Sequence, residues 1–219
     1  MKRVIIICEG ETEQEFCKKI LAPFFWKEDI SIHNPRIKKS MGGIVFWKVL
    51  KKDILNHLKN DPTAFVTTFI DYYGLQKKHS FPNWSEAEAE REKNRRMELL
   101  EKGMKHDIGE AYNSRFIPYV QLHEFEGLLF NDINVFYNQF EPEELIGEKE
   151  LRNTFNEFNN NPEMINNGRE SAPSKRLERI IKGYDKIVFG NIIAEEIGIE
   201  RIRSKSPRFS HWIAEIIKI

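Results

Sequence analysis

The sequence has little of what several classes of protein require. It contains two cysteines among 219 residues, too few for the disulfide framework of a small secreted domain. Its strongest apolar run, residues 4–8, is far shorter than the ~20 residues of a membrane-spanning helix. Neither sign of charge prevails, because 34 Lys and Arg residues balance 34 Asp and Glu residues, which argues against a generic polycation that coats nucleic acid. We therefore expect a cytoplasmic protein that does not bind membranes.

The first residues of the chain have the pattern of strand, turn and helix that begins an α/β unit. Residues 4–8 are β-branched without polar alternation, a pattern typical of a parallel strand that is buried on both faces. An acidic turn follows, and Thr12 with Glu15 forms a capping-box pattern that predicts the beginning of a helix. Pro23 is expected to end that helix.

Further strands are expected at 30–37, 64–70 and 116–122, and helices at 46–58 and 85–106, with a loop at Gly42-Gly43. Strand signals then fade, and helices are expected at 148–159, 174–182 and 209–217. The fold class is therefore α/β, with a mostly parallel central sheet flanked by helices and a helical C-terminal extension. We expect an α/β core over 1–130 and a helical part over 131–219 that together form one structural unit.

Carboxylates follow three of the predicted strands: Glu9 and Glu13 after the first, Asp71 after a later one, and Glu124 and Glu126 after the third. In open α/β sheets, ligands bind beyond the carboxyl ends of the strands. Clustered oxygen ligands without cysteine or histidine suit Mg²⁺ or Mn²⁺, and the like charges would repel without a cation. Such a site fits metal-assisted phosphoryl chemistry.

Each of these acidic positions also has a simpler interpretation. Glu9 and Glu13 are typical of a helix start, where negative charge is favoured by the helix dipole. Asp71 can be a turn residue after a strand. Glu124 and Glu126 can lie on the solvent side of an amphipathic turn.

Basic residues are concentrated late in the chain. Lys175 and Arg176 stand at a predicted helix start, where they can hold a phosphate. Arg203 and Arg208 belong to a cluster that can line a groove for nucleic-acid phosphates. The alternative for both is a solvated charged face. Trp212 is expected in the core, with stacking on a base as the alternative.

The order of these motifs resembles the Toprim domain of topoisomerases, primases and OLD-type nucleases. Those proteins place a glutamate after the first strand and an Asp-x-Asp after a later one. The sequence is more narrowly similar to a bacterial domain of unknown function with a Toprim-like fold, often encoded beside an AAA or SMC-like ATPase. The motifs that carry this resemblance are EGETE (9–13), DYYG (71–74), HEFE (123–126), APSKRL (172–177) and PRFSHW (207–212).

The resemblance implies a role for each acidic position. Glu9 matches the Toprim glutamate, a general acid/base or metal ligand, and Glu13 matches the second acidic position of the OLD-type pattern. Asp71 matches the first aspartate of Asp-x-Asp. Tyr73 stands where the second aspartate would be, which leaves the site one ligand short. A glutamate of the HEFE segment can supply the missing oxygen.

These observations lead us to expect a Mg²⁺- or Mn²⁺-dependent nuclease that acts on DNA or RNA. The resemblance implies an ATPase partner and a place in phage defence, and it leaves the formation of a homo-oligomer open. The main alternative is a non-catalytic subunit that keeps the fold and binds a partner. A small-molecule phosphotransfer enzyme is a third interpretation, weakened by the absence of a P-loop or G-x-G-x-x-G motif.

Overall fold

A computed structural model describes residues 1–38, 46–158, 161–165, 168 and 170–219, and the loop predicted at Gly42-Gly43 lies outside them. The chain divides into two compact units. The first comprises Met1–Leu122 and Trp212–Ile219, and the second comprises His123–His211. The sequence placed the division after residue 130, whereas the HEFE segment begins the second unit.

The first unit is built on a parallel sheet with the strand order β2-β1-β3-β4, and β5 also pairs with β3. Its strands are β1 (Lys2–Cys8), β2 (Ile30–His33), β3 (Phe65–Asp71), β4 (Phe116–Ile117) and β5 (Val120–Gln121). The parallel pairing confirms the predicted α/β class. The strand expected at 116–122 is divided into two short pieces at Pro118, because proline has no N–H to donate to a sheet.

The described residues of the first unit also form α1 (Glu11–Phe16), α2 (Ala22–Lys27), α3 (Trp47–Asn60), α4 (Trp84–Ala89), α5 (Lys93–Asp107) and α6 (Glu110–Asn113), together with the end of the last helix. The second unit contains α7 (Ile133–Gln139), α8 (Glu148–Glu157), α9 (Pro173–Ile180), α10 (Val188–Ile197), α11 (Ile199–Lys205) and the start of α12 (Pro207–Ile217). Short 3₁₀ turns lie at Lys77–His79, Phe125–Leu129 and Pro162–Met164. No helix in the described part of the chain is long and apolar enough to cross a membrane.

The chain stays helical through Pro23, contrary to the sequence prediction. A π-helical turn over Cys17–Leu21 joins α1 to α2, and Pro23 lies in the first turn of α2. The wider π turn accommodates a residue that can neither donate an N–H nor tolerate the carbonyl four residues earlier.

The helix expected over 85–106 is divided in two. The chain is extended at Glu90 and Glu92, and the Glu92 carboxylate accepts hydrogen bonds from the N–H groups of Asn94 and Arg95, at 2.9 and 2.6 Å. Glu92 thus caps α5 by satisfying N–H groups that have no partner inside the helix. The sequence does not distinguish Glu92, which caps a helix, from the other glutamates of this charged run, because glutamate also favours helix interiors.

The sheet of the first unit is covered on both faces. On one face, Ile5 and Ile7 of β1 share a hydrophobic cluster with Leu50 and Ile54 of α3 and with Met97 of α5. Alternate residues of a strand point to opposite faces, so Ile6 and Cys8 belong to the other face, and both are fully buried. Burial on both faces explains why β1 reads as a continuous apolar run.

On the second face, Trp212 of α12 packs into an aromatic cluster. The Trp212 ring stacks on Tyr119 with a centroid distance of 4.4 Å and lies 5.2 Å from Phe69, which is 5.9 Å from Phe16. The Trp212 Nε1–H donates to the Thr67 hydroxyl at 2.8 Å. Trp212 is 2% exposed, so it is a core residue, as expected from the sequence.

Candidate functional site

Two of the predicted ligands meet at the carboxyl end of the sheet. Strands β1 and β3 are parallel neighbours, and Cys8 is paired with Phe69. The ladder continues one step further, because the Glu9 N–H donates to the Phe69 carbonyl at 3.1 Å. The Glu9 side chain then turns to β3, where its Oε2 accepts the N–H of Asp71 at 3.0 Å. Glu9 and Asp71 are thus adjacent at one edge of the sheet.

Glu13 lies in the same turn but has a structural role of its own. Its Oε2 accepts the Gly10 N–H at 2.8 Å, so Glu13 caps the start of α1. The cap predicted at Thr12 and Glu15 is therefore wrong by two residues, and Thr12 is buried within the first turn. This cap is the simpler interpretation that the sequence allowed for Glu13.

Glu9 and Asp71, which we call the carboxylate pair, can be compared with the ligands that Mg²⁺ requires. Within the described residues, no group of three or more His, Cys, Asp or Glu side chains is arranged to hold a metal ion. Those residues therefore offer no closed cage of protein ligands. Mg²⁺, however, usually keeps several waters and binds through one or two carboxylates together with substrate phosphates. Glu9 and Asp71 fit this open kind of site by number and by ligand type.

The two glutamates of the HEFE segment lie in the second unit, and both are buried. Glu124 is 7% exposed and Glu126 is 4% exposed, so the alternative that placed them on a solvent-facing side is wrong. The Glu124 carboxylate accepts the Ser174 N–H at 3.0 Å and the Ser174 hydroxyl at 3.1 Å. Glu124 therefore occupies the beginning of α9, the position that the sequence suggested for a phosphate. A carboxylate is stabilised there by the same N–H groups and helix dipole.

The pKa of Tyr184 responds to burial and to the negative charge of these two glutamates. Its hydroxyl is buried and makes no hydrogen bond with the described residues. Burial, followed by the negative charges of Glu126 and Glu124, raises the pKa of Tyr184 well above its usual value. The phenol of Tyr184 is therefore held in its neutral form at physiological pH.

The two basic residues at the start of α9 make contacts within the second unit. Lys175 forms an ion pair with Glu178 at 2.7 Å. Arg176 is 9% exposed, and its guanidinium donates to the Thr154 hydroxyl and the Ser171 carbonyl, both at 3.0 Å. It also lies over the Phe158 ring, 5.2 Å from the centroid. These contacts indicate a structural role for Arg176 between α8 and α9.

Replacing Arg176 by Lys is expected to destabilise the second unit by about 2–3 kcal/mol, because an ammonium cannot reproduce the forked donors of a guanidinium. Urea unfolding followed by circular dichroism measures this change. Lys175→Arg, at the exposed neighbouring position, is the matched control and should leave stability unchanged. A stable Arg176→Lys variant that has lost phosphate affinity would contradict the structural role.

The other two basic residues belong to the last helices. Arg203 forms an ion pair with Glu200 at 3.5 Å. The N–H groups of Arg208 and Phe209 donate to the carboxylate of Glu163, at 3.2 and 3.1 Å. Glu163 therefore caps the start of α12. No local pattern revealed this residue, because its partners are 45 and 46 residues away in the sequence.

Glu163 is expected to make stability depend on pH. Burial raises the pKa of its carboxyl, and the two N–H donors and the charge of Arg208 oppose that effect only in part. The folded pKa is thus above the unfolded one, so the stabilisation is complete below the unfolded pKa and is lost as the pH rises through the folded pKa. Relative to Glu163→Gln, the wild type should lose free energy of unfolding as the pH rises above the ordinary glutamate pKa, about 4.3, and through the raised folded pKa. Urea titrations at a series of pH values test this, and a difference that is constant with pH would contradict it.

The first unit defines the class of protein: an α/β protein with a parallel sheet and carboxylates at the carboxyl ends of its strands. The family described as a domain of unknown function (DUF4276) matches residues 8–217, and the chain belongs to that family. No curated protein and no solved structure matches the sequence.

Proposed function

We propose that the protein is a Mg²⁺- or Mn²⁺-dependent enzyme that hydrolyses phosphodiester bonds in nucleic acid. The observation that carries this proposal is the contact between the Glu9 carboxylate and the Asp71 N–H at the ends of two parallel strands. It puts two acidic residues side by side at the edge where open α/β sheets bind ligands. The Toprim resemblance assigns metal-dependent phosphoryl chemistry to the same two positions.

Glu9 and Asp71 would hold the metal, which polarises a phosphate oxygen when bound. The Asp71 N–H donates to Oε2 of Glu9 and thereby orients the Glu9 carboxylate. Glu13, held by Gly10, supports the turn that carries Glu9. Tyr73 in place of a second aspartate suits an ion that retains several waters.

The nucleic-acid substrate and the partners follow from the resemblance. We infer DNA or RNA as the substrate, an AAA or SMC-like ATPase as the partner, and a role in phage defence. Association into a homo-oligomer is compatible with this arrangement. Each of these is an analogy of family, since function belongs to the site and not to the fold.

Cleavage assays on end-labelled single- and double-stranded DNA and RNA test the proposal. Cleavage is expected with Mg²⁺ or Mn²⁺, and none is expected in EDTA or with Ca²⁺ as the matched divalent control. Activity that persists in EDTA would refute the metal-dependent reaction. The assays are repeated with the proposed AAA or SMC-like ATPase partner, because an effector subunit can require its partner.

A second candidate function is a non-catalytic subunit that binds a partner. Two observations favour it: Tyr73 replaces the second aspartate of the motif, and the described residues contain no group of three metal-ligating side chains. Titration calorimetry with Mn²⁺ separates the two functions. A signal that is lost in Asp71→Asn supports the enzyme, and the absence of any signal in the presence of nucleic acid supports the subunit.

A further inference from the structure

An exposed aromatic ring and three lysines form a surface patch on the first unit, which we name the Phe46 patch. Phe46 immediately precedes α3 and is 54% exposed. Its ring makes an edge contact with the ring of His79, with centroids 5.7 Å apart and planes at 77°. His79 ends the 3₁₀ turn that carries Lys77 and Lys78. This contact joins the start of α3 to the basic turn.

The lysines of the patch are exposed and lack acidic partners among the described residues. Lys48, Lys77 and Lys78 are all exposed, and none forms an ion pair within that part of the chain. Lys48 lies in the first turn of α3, where the helix dipole disfavours a positive charge. The nearby carboxylate of Asp107 is already engaged by the Trp47 Nε1–H and by Lys51, at 2.6 and 2.9 Å. The three lysines therefore offer positive charge to a phosphate backbone.

The basic turn has a fixed shape. The Gln76 N–H donates to Nδ1 of His79 at 3.0 Å, and the Leu75 N–H donates to the Tyr72 carbonyl at 3.0 Å. Because His79 is buried and bonded within the turn, its ring is held against Phe46. The backbone of the turn and the Phe46 ring are thus positioned before any ligand binds, which reduces the entropic cost of binding.

The patch lies near the carboxylate pair of the first unit. Lys77 follows Asp71 by six residues in the sequence, so their Cα atoms are at most about 22 Å apart. The turn at Tyr72–Leu75 shortens that separation further. A short single strand can reach from the patch to Glu9 and Asp71.

We infer that the Phe46 patch binds single-stranded nucleic acid, with a base stacked on Phe46 and phosphates contacted by the three lysines. The inference rests on the proposed function for its choice of substrate. Exposed aromatic rings beside positive charge bind single strands without sequence preference, since every base offers a π face. A duplex keeps its bases stacked inside and cannot use the ring.

The test is fluorescence anisotropy of a labelled oligothymidylate in EDTA, where no metal is bound. Phe46→Ala should raise Kd about 5- to 150-fold, the range of a lost base–aromatic stack. The double variant Lys77→Ala/Lys78→Ala should reduce the salt slope of log K by about 1.4, since each lysine contributes about 0.7 for a single strand. Duplex binding should respond less to Phe46→Ala than single-strand binding.

The chain supplies a matched control elsewhere in the first unit. Trp26 is 63% exposed, is followed by the exposed Lys27, and precedes β2. The variant Trp26→Ala/Lys27→Ala should bind as tightly as the wild type. Thermal unfolding of the Phe46→Ala variant should be within about 2 °C of the wild type, because exposed substitutions cost little stability.

Several results would overturn the inference: no binding by the wild type, unchanged binding by Phe46→Ala, or an equal loss in the Trp26 control. Its failure is distinct from that of the proposed function. Cleavage that requires Glu9 and Asp71 together with unchanged binding by Phe46→Ala would refute the patch alone. Binding through the patch without metal-dependent cleavage would refute the proposed function alone.

Discussion

Glu9→Gln and Asp71→Asn are each expected to lower the rate of metal-dependent phosphodiester cleavage about 100- to 10,000-fold, the range for a group that takes part in proton transfer or metal binding. Each change removes one negative charge from the carboxylate pair and leaves the size of the side chain almost unchanged. The rates of the variants and the wild type are compared at saturating Mg²⁺ and Mn²⁺. At saturating metal, a variant that only binds the metal more weakly would cleave at the wild-type rate, so a lower rate reports a slower reaction.

These variants should retain the fold. The amide oxygen introduced by Glu9→Gln can still accept the Asp71 N–H that Glu9 Oε2 accepts now, so the free energy of unfolding should change by less than about 1 kcal/mol. The matched control is Glu11→Gln in the same turn, because Glu11 is exposed and pairs only loosely with Arg36, at 3.5 Å. Glu11→Gln should cleave at the wild-type rate. Wild-type rates in both Glu9→Gln and Asp71→Asn would show that the site lies elsewhere.

Trp212→Ala is expected to destabilise the first unit by about 3–5 kcal/mol, the usual cost of truncating a large buried aromatic side chain. The ring stacks on Tyr119 and packs against Phe69, and its removal leaves a cavity on one face of the sheet. Unfolding in urea is followed by tryptophan fluorescence. The three remaining tryptophans all belong to the first unit, so the signal reports on that unit.

The hydrogen bond of Trp212 can be measured separately from its packing. Trp212→Phe keeps most of the ring but leaves the buried Thr67 hydroxyl without its donor, and Thr67→Val leaves the Nε1–H without its acceptor. Each single variant should cost about 1–3 kcal/mol, and the double variant should cost less than their sum. If Trp212 instead stacked on a base at the surface, Trp212→Ala would weaken nucleic-acid binding and leave the unfolding midpoint unchanged.

Much of the first unit could be predicted because its signals are local. The β-branched run of β1 and the apolar run of β3 predict buried parallel strands, and a carboxylate follows each run directly. Parallel strands place their carboxyl ends at one edge, so the proximity of Glu9 and Asp71 follows from the order of the elements. The helix predictions that failed, at Thr12, Pro23 and Glu92, concern helix ends and interruptions, where several residues compete for the same N–H groups.

The role of each charged side chain in the second unit could not be predicted. Glu124 and Ser174 are 50 residues apart in the sequence, and nothing near either residue indicates that they bind each other. Arg176 carries a positive charge at a helix start, as a phosphate ligand would, yet its guanidinium is buried against Thr154 and Phe158. A basic residue at a helix start has the same local pattern in both roles, and only its distant neighbours differ.

By itself, the sequence determined the α/β class, the two buried strands and the carboxylates at their ends, because burial and periodicity are properties of short segments. The tertiary structure alone decided the donors that are distant in sequence: the Asp71 N–H for Glu9 and the Ser174 N–H for Glu124. The physical reason is that a buried carboxylate must find hydrogen bonds wherever the fold supplies them. Most of those partners are brought close only when distant parts of the chain pack together.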